Sequence, residues 1–119
     1  MYALIQELTG PMVGVRVQGD INDRENRRLV RLVEERFAQF GPVRLLVVYE
    51  ADPGLMGAEG LCDNLRFARQ MGGKLARLAV VGEHDWESTW VGLFGLLGGI
   101  RTHYFDRAQA AAAVAWLNA

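Results

Sequence analysis

The sequence is poor in residues that would point to particular kinds of chemistry. It has one cysteine in 119 residues, Cys62, so no disulfide can form within the chain, which fits a reducing compartment. Thirteen basic and fourteen acidic residues nearly balance, so no net charge draws the chain to nucleic acid or to an anionic membrane. No uncharged apolar run approaches the roughly 20 residues that span a bilayer, and the first residues lack the basic region of a signal peptide. We therefore expect a cytoplasmic protein.

Half of the residues are apolar, which is enough for the core of a single domain over residues 1–119. Arg44–Glu50 contains five consecutive apolar residues between Gly41-Pro42 and Asp52-Pro53-Gly54. This pattern predicts a strand that is buried on both faces, in the middle of an α/β sheet. Leu75–Gly82 predicts a second buried strand, parallel to the first because a predicted helix crosses between them.

The first forty residues predict a hairpin and a helix. Tyr2–Leu8 and the alternating Met12–Gln18 favour an antiparallel pair of strands. Asn22 and Glu25 have the spacing of a capping box at the start of a helix, which ends before Gly41. The apolar face of this helix carries Leu29, Leu32, Val33, Phe37 and Phe40, and its arginines are Arg24, Arg27, Arg28, Arg31 and Arg36. Glutamates alternate with the arginines at ion-pair spacing, which favours a solvated face over a phosphate or nucleic-acid site.

The second half of the chain predicts further alternation of helices and strands. A second helix runs from Ala58 to about Met71, and a third begins at Asp85. Ile100–Phe105 predicts the last strand, and Asp106 with Gln109 caps a final alanine-rich helix. We therefore predict an α/β fold with a mixed five-stranded sheet and four flanking helices, in the order ββαβαβαβα.

This order resembles the bacterial SpoIIAA-like family, which belongs to the wider STAS group and whose fold is compared with lipid-binding CRAL-TRIO domains. The resemblance is carried by Leu78–Gly82 followed by Trp86, and by His103–Asp106 before a helix that ends in Ala115-Trp116-Leu117. It implies the scaffold more strongly than the function, because these residues build the fold.

The loop after the central strand departs from one pattern of the STAS group. In the anti-sigma antagonists of that group, a Ser or Thr in this region is phosphorylated to control the binding of a kinase partner. The matching residues 52–59 contain no hydroxyl, and the one serine of the chain is Ser88. The resemblance therefore implies no phosphorylation switch here. Asp52 or Glu59 could imitate a fixed negative charge, although acids at this position more often complement a helix dipole.

Candidate groups for catalysis or metal binding are few. Cys62 could pair with a histidine as a nucleophile, but a buried and inert thiol is the favoured interpretation. Glu83-His84-Asp85 could join His103 around zinc, but a strand-to-helix turn of capping residues is favoured. We predict no catalytic residue, no metal and no cofactor.

The glycine-rich segment, residues 88–100, carries no charge. Around it, Trp86, Trp90, Phe94 and Leu97 fall on one helical face, while its glycines weaken the helix by about 1 kcal/mol each. Three arrangements remain open: burial against the sheet and a neighbouring subunit, a mobile lid over an apolar pocket, or shallow insertion into a membrane surface. The last is the least favoured because the segment lacks a basic face.

These observations favour a non-enzymatic binding domain. It would dock a protein partner, a second copy in a homodimer included, or hold an apolar small molecule or lipid between the second and third helices. The predicted ligand-binding residues are Leu55, Met56, Trp86, Trp90, Phe94 and Leu97. The alternative is a phosphorylation-independent regulatory protein of the anti-sigma-antagonist type, whose predicted partner-binding residues are Asp52, Gly54, Met56 and Glu59. No nucleic-acid partner is expected.

Overall fold

The computed structural model describes residues 2–18, 23–49, 73–82 and 101–119. Its strands are β1 (Tyr2–Leu4), β2 (Met12–Val17), β3 (Val43–Tyr49), β4 (Leu75–Gly82) and β5 (Arg101–Asp106). Its helices are α1 (Asp23–Phe40) and α2 (Ala110–Asn118), and the 3-10 turn Arg107–Gln109 leads into α2. The predicted second and third helices lie outside the described residues.

The five strands form one mixed sheet in which they lie side by side in chain order. β1 is antiparallel to β2, and the pairs β2–β3, β3–β4 and β4–β5 are all parallel. This arrangement confirms the predicted α/β class, the opening hairpin and the parallel pairing of the two buried strands. β1 is shorter than predicted, because the chain turns after Leu4 and the amide of Leu8 donates to the carbonyl of Ile5.

Successive residues of β3 face opposite sides of the sheet, and both sides are buried. Leu45 packs with Val15 and Val33 in a cluster under α1, which we call the α1 core. Leu46 packs with Ala79 and Leu117 in a second cluster under α2, the α2 core. The central strand is therefore buried on both faces, as its continuous apolar run predicts.

The apolar face of α1 is buried over only part of the length predicted. Leu29 and Val33 are buried, but Phe37 and Phe40 keep 36% and 52% of their surface exposed. Nη1 of Arg36 donates at 2.9 Å to the carbonyl of Gly10, which lies in the turn before β2. At Arg36 the helix has therefore reached the end of the sheet. The last turn of α1 therefore has little of the sheet beneath it.

The same hydrogen bond corrects the prediction of a uniformly solvated arginine face. Arg36 is half-buried and joins α1 to the hairpin turn, whereas the other four arginines of the helix are exposed. The turn itself needs Gly10, whose φ of 66° lies in the left-handed region that favours glycine.

The capping box predicted for the final helix is present. The Asp106 carboxylate accepts from the amide of Arg107 at 2.8 Å, and the Gln109 side chain accepts from the amide of Asp106 at 3.3 Å. The box begins the 3-10 turn, and the α-helix follows from Ala110. Leu117 is fully buried in the α2 core, so α2 is held on the sheet mainly by its last turns.

Candidate functional site

The sequence-predicted binding residues cannot be placed in the structure. Leu55, Met56, Trp86, Trp90, Phe94 and Leu97, and likewise Asp52, Gly54 and Glu59, lie outside the described residues. The same is true of Cys62 and of Glu83-His84-Asp85. Their predicted roles in binding a ligand, a partner or zinc stay predictions.

The described residues form an open groove of about 700 Å³ on the sheet face that carries α2. Its floor is formed by β2 and β3, one wall by the segment between β1 and β2, and the other wall by α2. Its apolar lining residues are Ile5, Leu8, Met12, Leu46, Val48 and Val114. This volume is in the range of small-molecule sites, which is about 300–1,000 Å³.

The floor of the groove is apolar because it is a continuation of the α2 core. Leu46 and Met12 are 4% and 8% exposed and belong to that core, and half-buried Val48 packs against it. β2 and β3 are parallel neighbours, with Gly14 beside Leu46 and Arg16 beside Val48. The ladder between these strands fixes the floor, so it does not depend on the walls for its shape.

The first wall is held on the sheet by Gly14. The amide of Ile5 donates to the carbonyl of Gly14 at 2.8 Å, which brings the segment after β1 down onto β2. A Cβ at position 14 would lie 2.5 Å from Cδ1 of Leu8 and 3.1 Å from Cβ of Ile5. Only glycine at this position lets Ile5 and Leu8 pack as closely as they do.

The second wall, α2, is fixed by two arginines from the amino-terminal parts of neighbouring strands. Arg44 on β3 donates to the carbonyl of Leu117, and Arg77 on β4 donates to the carbonyl of Trp116 at 2.5 Å. The last carbonyls of a helix have no intrahelical partner and carry the negative end of its dipole. The two guanidinium groups bring hydrogen-bond donors and positive charge to this end of the helix, where the Trp116 carbonyl also accepts from the amide of Ala119 at 3.3 Å. The guanidinium of Arg77 also lies over the Trp116 ring, 5.3 Å from its centroid.

An aromatic cluster packs α2 against β5. The ring of His103 lies 4.4 Å from that of Phe105 and 5.6 Å from that of Trp116, measured between centroids. The sequence predicts His103 as a possible partner of Glu83-His84-Asp85 around zinc, and in the structure its ring packs against Phe105 and Trp116. Within the described ranges, no three side chains of His, Cys, Asp or Glu come together as a metal site requires.

The chemistry of the groove favours binding. Its polar lining residues are Glu7, Thr9, Arg16 and Asn118. The described lining contains no cysteine, serine or histidine, so this part of the chain offers the groove no Cys–His or Ser–His pair. The apolar lining can shelter hydrocarbon from water, and the polar groups can orient a ligand.

The sequence interpretation missed this groove, although one signal was available. Met12–Gln18 alternates as a half-buried strand would, and glycine in its interior is a known mark of close backbone approach. The segment that approaches Gly14 comes from the other strand of the hairpin. That contact depends on the tertiary structure, which the local pattern does not contain.

None of the helices in the described residues is both long enough and apolar enough to cross a membrane. The fold is similar to a crystal structure of an uncharacterized protein of the DUF3478 family, with a SpoIIAA-like fold, from Shewanella loihica PV-4. The two chains superpose with a TM-score of 0.67 at 15% identity, over 98% of this chain and 93% of the other. No curated protein matches the sequence. The SpoIIAA-like family profile matches residues 12–118, and because this match spans most of the chain, the protein belongs to the SpoIIAA-like family.

Proposed function

We propose that this protein is a non-enzymatic binding domain that holds an apolar small molecule in the groove between the β1–β2 segment and α2. The observation that carries the proposal is an apolar groove of about 700 Å³ whose floor is the α2 core itself. Membership of the SpoIIAA-like family supports a binding or regulatory domain in general terms, and members of this family are generally not enzymes.

The groove suits an apolar ligand because its surface is both hydrophobic and held in place. Burying hydrocarbon gains about 25 cal/mol for each Å² of apolar surface removed from water. The Gly14 contact holds one wall, and Arg44 and Arg77 hold the other. A site formed before the ligand arrives loses little binding energy to ordering its own side chains.

A protein partner, a second copy of the chain included, is the competing occupant. The predicted partner-binding residues Asp52, Gly54, Met56 and Glu59 belong to that alternative, which is a regulatory protein acting through the loop after β3. A second apolar site under the glycine-rich segment, with Trp90 as a contact, also stays a proposal. A variant of Trp90 would weaken binding at that second site and leave binding in the groove unchanged.

A matched pair of helix variants tests the groove directly. Ala111 lines the groove and is exposed, so Ala111→Trp places a large side chain in the cavity without disturbing the core. We expect the affinity for the apolar dye Nile red, followed by its fluorescence, to fall by about tenfold or more, which corresponds to the loss of a few favourable contacts. Native mass spectrometry of the purified protein, compared with its denatured mass, would reveal a ligand carried from the cell.

The control is Ala112→Trp, at the next position of the same helix. Ala112 is also exposed but does not line the groove, so dye binding should stay within about twofold of the parent value. Equal losses in both variants, or no loss in either, would contradict binding in the groove. A native mass equal to that of two chains with nothing added would favour the second copy as the occupant.

A further inference from the structure

We propose that the ligand of the groove is a linear amphipathic molecule with an anionic head group beside Arg16 and a hydrocarbon chain along α2. This inference rests on the proposed function and gives it a chemical class. It depends on the direction of the groove, on its shape, and on the position of Arg16, the arginine among its described lining residues.

The direction of the groove follows from the orientation of α2 on the sheet. Arg44 lies near the start of β3, and it contacts the carbonyl of Leu117 near the end of α2. α2 therefore runs antiparallel to the parallel strands. Its first residue, Ala110, lies towards the carboxyl ends of the strands, and Asn118 lies towards their amino ends. Since both line the groove, the groove extends along the whole helix.

The shape of the groove matches an extended chain. Eight residue steps separate Ala110 from Asn118, so the groove is about 12 Å long at 1.5 Å per residue. Between its ends, the groove is lined by Leu46 in the floor, Leu8 in one wall and Val114 in the other. A single hydrocarbon chain would bury its sides against all three surfaces.

Arg16 places a positive charge at the end of the groove where the strands finish. It is the next-to-last residue of β2 and alternates with Val15 and Val17, which face the α1 core, so its side chain is on the groove side. Arg16 also has a contact within the protein, and a guanidinium with five N–H donors can serve a ligand as well. Among the described lining residues, Glu7 is also charged, and it lies in the exposed turn after β1.

This arrangement fits a carboxylate or a phosphate ester better than a neutral or cationic head group. A guanidinium binds two oxygens of such a group with parallel, charge-assisted hydrogen bonds. Arg16 is placed to make such bonds because it lines the groove.

The experiment compares four ligands with the same chain: dodecanoate, dodecyl phosphate, dodecanol and dodecylamine. Each is titrated below its micelle concentration against the full chain, with displacement of Nile red as the signal. We expect at least one of the two anions to bind about tenfold more tightly than dodecanol, and dodecylamine to bind more weakly than either anion. The stronger of the two anions identifies the head group as a carboxylate or a phosphate.

Two substitutions show whether Arg16 is responsible. Arg16→Gln should remove the preference for the anion and leave the affinity for dodecanol within about twofold. Arg31→Gln removes an exposed arginine of α1 on the other side of the sheet, and it should retain the preference. Arg16→Lys should retain part of it, because a point charge remains without the bidentate geometry.

Equal binding of the anions and dodecanol would overturn the inference while leaving a site for apolar chains in place. A preference for dodecylamine would also overturn it and would indicate Glu7 as the anchor. If none of the four ligands bound, the proposed function would fail together with the inference. If Arg16→Gln did not fold, the salt dependence of anion binding by the parent and by Arg16→Lys would decide, because binding to an arginine head-group site must weaken with salt.

Discussion

Gly14 occupies the interior of β2, where the absence of a side chain normally weakens a strand. Here it allows the chain after β1 to return across the sheet and to place Leu8 and Ile5 against the floor. The cost of glycine in a strand is offset by the packing of two apolar side chains and by a backbone hydrogen bond of 2.8 Å. One residue therefore sets the position of a whole wall of the groove.

Gly14→Ala should destabilise the protein by about 1–3 kcal/mol. The added methyl group overlaps Cδ1 of Leu8 and lies 3.1 Å from Cβ of Ile5, so the Leu8 side chain must turn away and Ile5 must move by a few tenths of an ångström. The free energy of unfolding can be measured with urea. The shift of the wall should also alter the affinity for Nile red.

Leu8→Ala provides the control for this prediction. It removes the atom that lies 2.5 Å from the added Cβ, so Gly14→Ala should cost less in the Leu8→Ala background than in the parent. If the two free-energy changes were simply additive, the contact between residues 8 and 14 would not explain the glycine.

The position of α2 depends on contacts with the strands beneath it more than on the sequence of the helix itself. Its alanines favour a helix but provide few side chains that can be buried, and Ala113 and Leu117 are the residues it buries completely. Arg44 and Arg77 add hydrogen bonds to its last carbonyls. Helix propensity explains why α2 forms, and these contacts explain where it lies.

Arg77→Met should destabilise the protein by about 1.5–3 kcal/mol, the usual range for losing a hydrogen bond to a charged group. The loss includes the contact of the guanidinium with the Trp116 ring. Urea unfolding measures the change, and the dye affinity should fall as α2 loses its fixed position.

Arg101→Met is the matched control, because Arg101 is the register neighbour of Arg77 on β5 and is exposed. Among the described residues, Arg44 and Arg77 donate to the carbonyls at the end of α2, and Arg101 does not. Its substitution should change the stability by less than about 0.5 kcal/mol. A similar loss in both variants would indicate a general effect of removing charge from this face.

For the molecule as a whole, the order of the strands predicts an order of local stability. β3 lies in the middle of the sheet between two parallel neighbours and contributes to both cores. β1 is an edge strand of three residues. The amides of Leu45, Leu46 and Val47 should exchange with solvent only when the whole domain unfolds, at a cost of about 5–15 kcal/mol. Those of Ala3 and Leu4 should exchange through local fraying.

Hydrogen exchange followed by NMR at increasing urea tests this order. Exchange of the β3 amides should accelerate with the full denaturant dependence of global unfolding, and that of the β1 amides should hardly change. Equal protection of both strands would mean that the hairpin is as stable as the centre of the sheet.

Local patterns in the sequence are enough to predict the fold class and the principal buried elements. Residues close together in the chain specify three features that are present in the structure: the strand Val43–Tyr49, the strand Leu75–Gly82, and the capping box of Asp106 and Gln109. Local propensities and burial patterns are sufficient for such elements.

The contacts between distant segments of the chain are visible only in the three-dimensional structure. The exposure of Phe37 and Phe40 depends on where the sheet ends beneath α1, and the groove depends on a hairpin segment that crosses Gly14. The position of α2 depends on Arg44 and Arg77, which are distant from it in the chain. These contacts join residues that no local pattern links, so the site becomes visible only when the sheet has assembled.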